Sequence, residues 1–101
     1  MNTPYELPSE LTIYSAAETR DALLGWLSAQ PQADQPLRLA AARVHEVDAA
    51  GLQLLCAFAA TVAAKGWTLI VESPSDAFAA ACRTLGMSVL LDKTADDEVS
   101  A

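Results

Sequence analysis

Val44-His45-Glu46-Val47-Asp48-Ala49-Ala50-Gly51-Leu52-Gln53-Leu54-Leu55 joins an extended segment to the longest helical pattern in the chain. Asp48 stands where that helix should begin. A carboxylate at a helix N-cap accepts hydrogen bonds from the unpaired amides of the first turn. Its charge also lies favourably against the positive end of the helix dipole. Ala49, Ala50 and Gly51 strip the first turn of bulk, so something outside the helix is expected to approach that backbone closely. The helical pattern runs from Ala50 to Lys65, and Gly66 is a stop signal. Before the corner, Leu37-Arg38-Leu39-Ala40 reads as a short strand, and residues 41–48 continue in extended or loop form.

The flanking segments alternate in period. Glu10-Leu11-Thr12-Ile13-Tyr14 reads as a strand. Ser15 followed by Glu18 is a capping-box signature. Ala22, Leu23, Trp26 and Leu27 then recur at helical spacing between Ala17 and Leu27. Pro31 and Pro36 make residues 30–36 a polar loop. Trp67-Thr68-Leu69-Ile70-Val71-Glu72 is the clearest strand. Ser73-Pro74-Ser75 is a turn that opens a helix from about Asp76 to Leu85, stopped by Gly86. Met87-Ser88-Val89-Leu90-Leu91 reads as a last short strand. Strands and helices therefore alternate, and crossover helices favour parallel pairing. The expected fold class is α/β, a small mixed sheet of four to five strands with helices mainly on one face. Residues 1–101 are expected to form one domain, with a core over about 8–92 and a flexible acidic tail at 93–101.

Asp48-Ala49-Ala50-Gly51-Leu52-Gln53-Leu54-Leu55 resembles the Asp-Ser/Thr-x-Gly-Leu motif of STAS domains, the anti-sigma-factor-antagonist family. The later run from Thr68 to Met87 agrees with that family's order of strand, proline, helix and glycine. The resemblance covers about residues 8 to 92 and implies a STAS-like fold. It also implies a non-catalytic protein–protein interaction module. In the family, the residue after the Asp is a Ser or Thr that a partner kinase phosphorylates. Here that residue is Ala49, followed by Ala50, and a methyl group supplies no oxygen nucleophile. The resemblance thus implies a docking surface with no phosphorylation switch at its usual place. Its expected role is a bacterial signalling or chemotaxis-associated adaptor. The partner would be an anti-sigma factor, a histidine-kinase-fold protein or another signalling component. The alternative is a STAS accessory subunit that binds the ATPase of an ABC lipid-transport system. The partner-binding residues are expected to be His45, Glu46, Asp48, Ala49, Ala50, Gly51, Leu52, Gln53, Leu54 and Phe58.

The long helix carries apolar residues on every side. Leu52, Leu55, Cys56, Ala59 and Ala63 form the face expected to meet the sheet. Leu54 and Phe58, four residues apart, are expected to form an exposed apolar ridge beside the Asp48 turn.

Composition excludes several classes. Thirteen acids against six bases give a net charge of −7, which opposes a phosphate backbone or an anionic lipid surface. Hydrophobic residues make up 52% of the chain, but 21 of them are alanine, enough for one modest core. No run of about 18 apolar residues exists, and the N-terminus lacks a basic flank and an apolar stretch of signal-peptide type. Cys56 and Cys82 sit in apolar stretches without zinc or redox spacing, so two reduced thiols and a cytoplasmic setting are expected. His45 is the single histidine, and in an extended segment its side chain points away from that of Glu46, which argues against metal. Asp96-Asp97-Glu98 lies in the tail, without a pocket to shift its carboxylates. The four glycines are scattered singly and build no phosphate loop. No enzyme activity, cofactor, nucleic acid or membrane insertion is expected.

Overall fold

A computed structural model describes residues 3–31 and 36–91. The chain runs β1 (Tyr5–Glu6), β2 (Glu10–Leu11), α1 (Ala16–Ser28), β3 (Leu37–Ala40), β4 (Glu46–Val47), α2 (Ala49–Ala64), β5 (Leu69–Glu72) and α3 (Asp76–Thr84), then a 3-10 turn at Ser88–Leu90. The proposed tail at 93–101 lies outside the described residues.

Among the described residues five strands form, and every pairing between them is parallel. They make two ladders rather than one mixed sheet: a three-stranded sheet ordered β1-β3-β5 and a two-stranded one of β2 and β4. In the first, Tyr5 lies opposite Leu39 and Leu39 opposite Val71. In the second, Leu11 lies opposite Val47. Pro8 accounts for the division. It has no N–H to continue a ladder. Past it, the Ser9 carbonyl accepts from both the His45 and Glu46 amides, at 2.8 and 3.0 Å. The chain then re-pairs as β2 with β4. The β1 strand escapes sequence reading because its two residues lie between Pro4 and Pro8 and show no alternation.

The core collects Leu7, Leu11, Leu23, Leu37, Leu39, Leu52, Leu55 and Phe78, each at most 1% exposed. Burial of each such side chain is worth roughly 1.5–3 kcal/mol. Tyr5, Trp26 and Phe58 form an aromatic chain along its edge, with successive ring centroids 5.6 and 6.4 Å apart. Among the α2 residues, Gly51, Leu52, Leu55, Phe58 and Val62 are the buried stripe. The expected stripe was rotated: Cys56 and Ala59 are half-buried at its edge and Ala63 is exposed. The larger Phe58 and Val62 take the inner positions. Cys82 is fully buried, and desolvation with the added influence of Cys56 pushes its thiol up to about 11.

Both glycine stops act as read. Gly66 and Gly86 have φ of +80° and +72°, the left-handed conformation that closes a helix. After Gly66 the Trp67 amide reaches back to the Val62 carbonyl, and after Gly86 the Met87 amide reaches the Cys82 carbonyl, at 3.2 and 2.7 Å. Ser75 caps α3, its hydroxyl accepting from the Phe78 amide at 3.1 Å and donating to the Val44 carbonyl at 2.7 Å. That second bond ties α3 to the loop before β4.

Three expectations are corrected. The capping box at Ser15 does not form, because the Ser15 hydroxyl donates to the Glu10 carbonyl and accepts from the Thr12 amide instead. The strand expected over residues 10–14 stops at Leu11 for the same reason. Residues 87–91 are not a strand: the Leu90 and Leu91 amides bond locally to the Met87 and Ser88 carbonyls, and Leu90 turns into the core.

Candidate functional site

Asp48 organises the corner between β4 and α2. Its backbone is extended, with φ −130° and ψ −178°, as an N-cap requires. One carboxylate oxygen, Oδ1, accepts from the Gly51 amide at 3.0 Å. The other, Oδ2, accepts from the Ile13 amide at 3.1 Å. The Asp48 amide donates to the Leu11 carbonyl at 3.2 Å. A single residue therefore clasps the first turn of α2 and the turn that follows β2.

The Gly51 amide, then the Ile13 amide, hold the Asp48 carboxyl below its ordinary value of 3.8. A group with a lowered folded-state pKa stabilises the fold fully above its ordinary pKa, and that stabilisation is lost as pH falls through the lowered value. Asp48→Asn is expected to lower Tm at neutral pH and to flatten the acid limb of the Tm–pH curve. Thermal melts from neutral pH down through the carboxylate range check both effects.

The expected partner-binding residues divide by burial. His45, Glu46, Ala49 and Gln53 are exposed, and Asp48, Ala50 and Leu54 are half-buried. Gly51 and Leu52 are inside, and Phe58 is 3% exposed. The Leu54–Phe58 ridge is thus not an exposed pair. Phe58 packs towards Trp26 and, with Leu54 and Leu24, borders a shallow hollow of about 140 Å³ between α1 and α2. The close approach at the bare helix start is also internal. A Cβ on Gly51 would overlap the Leu11 carbonyl oxygen and stand 2.6 Å from its carbon. The chain's own β2 fills that space.

Sequence reading missed Ile13 and Tyr14, which the structure brings to this corner. Ile13 is 65% and Tyr14 92% exposed. Thr12 and Ser15 bracket them, and the Thr-x-x-Ser spacing is the signal that could have marked a turn, since short hydroxyl side chains compete for backbone partners.

Other groups stay apart from the corner. Cys56 borders an apolar hollow of about 310 Å³ towards the far end of α2, with Trp67 and Val89. Among the described residues, no three metal-ligating side chains cluster. No described helix is long and apolar enough to cross a membrane.

Parallel β ladders joined by helices, with an aspartate-capped corner before a long apolar helix, define a STAS-type α/β module. Residues 6–92 match the family model described as Mlab, STAS domain, and the chain belongs to the STAS-domain family. Its fold is shared with a sulfate transporter family protein from Wolinella succinogenes, of known crystal structure. That match has a TM-score of 0.70 at 24% identity and covers 89% of this chain and 72% of that chain. No curated protein matches this sequence.

Proposed function

We propose that this domain is a non-catalytic docking module whose partner seats on the corner around Asp48, in a form independent of phosphorylation at residue 49. The observation that carries the reading is the corner itself. Asp48 fixes the helix start through Gly51 and Ile13, while His45, Glu46, Ala49 and Gln53 remain open to solvent. STAS domains are protein-interaction modules, and the backbone of this corner is hydrogen-bonded before any partner arrives, which lowers the ordering cost of binding. Alanine at 49 offers a kinase no hydroxyl, so the docking surface is always available. The setting is a bacterial signalling or chemotaxis-type pathway in the cytoplasm, with an anti-sigma or histidine-kinase-fold protein as partner.

The transport reading stands beside it, with the ATPase of an ABC lipid-transport system as partner. The fold match to a sulfate transporter family protein favours keeping it. Co-purification from the source cells separates the two: a stable complex with an ATPase supports transport, and one with a histidine-kinase-fold protein supports signalling. In either complex, Ala49→Trp is expected to weaken affinity at least about tenfold, or about 1.4 kcal/mol, with Tm within a few degrees of the wild type. Residue 49 is exposed, so the added ring meets solvent in the free protein and the loss would lie in the interface. Titration calorimetry and thermal melting of the same variant read the two effects. Incubation with ATP and the partner kinase is expected to leave residues 45–55 unlabelled.

A further inference from the structure

Two large apolar side chains stand in solvent on a turn that is nevertheless tightly held. Below Ile13 and Tyr14, the Thr12 amide donates to the Ser15 hydroxyl at 3.1 Å, and the Tyr14 amide to the Thr12 hydroxyl at 3.2 Å. The Ser15 hydroxyl donates to the Glu10 carbonyl at 2.9 Å, and the Thr12 hydroxyl to the Glu10 carboxylate at 2.6 Å. The Ile13 amide is held by Asp48. A loop that merely frays does not satisfy its own amides in this way. An exposed tyrosine on a prefixed backbone is the kind of residue that dominates interface energies, because it brings large area at small ordering cost.

The charge around this turn has one sign. Residues 3–19 and 44–64, which include the corner, contain no lysine or arginine. They contribute Glu10, Glu18, Glu46 and Asp48, none of which is in an ion pair among the described residues; Glu6 alone is paired, with Arg43 at 3.2 Å. Like charge opposes a second copy of the same corner, and it opposes an anionic lipid surface.

We propose that Ile13 and Tyr14 anchor the partner, and that the partner is a protein presenting an apolar pocket ringed by lysine and arginine. This rests on the docking reading, because the Ile13–Asp48 bond makes the turn and the start of α2 one continuous surface. Cations on the partner speed encounter and select orientation, and the pocket that receives Tyr14 sets the residence time.

The test begins with p-benzoylphenylalanine in place of Tyr14, introduced into the full chain in its source cells and irradiated. A cross-link to one other protein is expected. That protein, purified, is titrated with the wild type and with Tyr14→Ala, Ile13→Ala and Ala49→Trp, each first shown to melt within a few degrees of the wild type. Tyr14→Ala is expected to weaken binding about 30-fold or more, as an interface hot spot does. Association with the wild type is expected to slow about tenfold between low and high salt. Wild-type affinity in Tyr14→Ala and Ile13→Ala overturns the anchor; if Ala49→Trp still weakens binding, the docking reading survives. Wild-type affinity in all three variants overturns both. A cross-link only to a second copy, no cross-link at all, salt-independent association, or co-sedimentation with phosphatidylglycerol vesicles each overturns the proposal.

Discussion

Phe58→Ala is expected to cost about 3–5 kcal/mol of folding stability, and Phe58→Glu is expected to leave no cooperatively folded protein. The ring lies on the buried stripe of α2, 3% exposed, with the Trp26 ring 6.4 Å away and tilted by 36°. Truncation removes both its transfer free energy and its packing against Trp26, and leaves a cavity between α1 and α2. A domain of this size is stable by only about 5–15 kcal/mol in total, so the alanine change uses a large part of that margin. Glutamate adds the cost of a charge without a partner in an apolar interior. Leu54→Glu is the contrasting variant. Leu54 is half-buried at the rim of a shallow hollow, where a carboxylate reaches water, and its melting temperature is expected to stay near that of the wild type. Urea unfolding followed by circular dichroism measures all three. Wild-type stability for Phe58→Glu would mean that the ring is outside the core.

The two residues of the expected ridge show what a single sequence conveys and what it does not. Period and end signals identified α2 and α3 to within a residue or so at each end, because Asp48, Ser75, Gly66 and Gly86 are local devices that act through the nearest few amides; α1 was located by its period alone. The face of α2 was less legible. Apolar residues surround that helix, so its inward side is decided by Trp26 and Leu11, which approach from elsewhere in the chain. The end of β2 was illegible for a related reason. Thr12 and Ile13 have good strand propensity, but their amides are taken by Ser15 and by Asp48, the latter 35 positions away. Met87 to Leu91 likewise has strand composition, and local bonds after Gly86 curl it into a turn that buries Leu90 alone. In the candidate site, Asp48 and its helix start were readable from the motif. Tyr14 was not, since only the three-dimensional bond from Ile13 to Asp48 brings its turn to the corner.

Gly51→Ala is expected to destabilise the domain by about 3 kcal/mol or more, lowering Tm by about 10 °C or more. Space, rather than backbone conformation, demands glycine here: residue 51 lies within α2, where alanine is the best helix former. The obstacle is the Leu11 carbonyl, backbone that no side-chain rotation can move aside. That oxygen also accepts the Asp48 amide, so retreat of β2 would loosen the bond that seats the N-cap, and with it the Ile13 amide held by the same aspartate. Gly25→Ala supplies the control. It lies in α1 with nothing within 4 Å of the added methyl, and it is expected to raise stability by about 0.5–1 kcal/mol through helix propensity alone. Opposite signs for the same chemical change, read by thermal melting, would locate the close contact at residue 51. A Gly51→Ala protein that melts like the wild type would show that α2 does not rest against Leu11, and the hydrogen-bonded corner on which the proposed docking rests would lose its support.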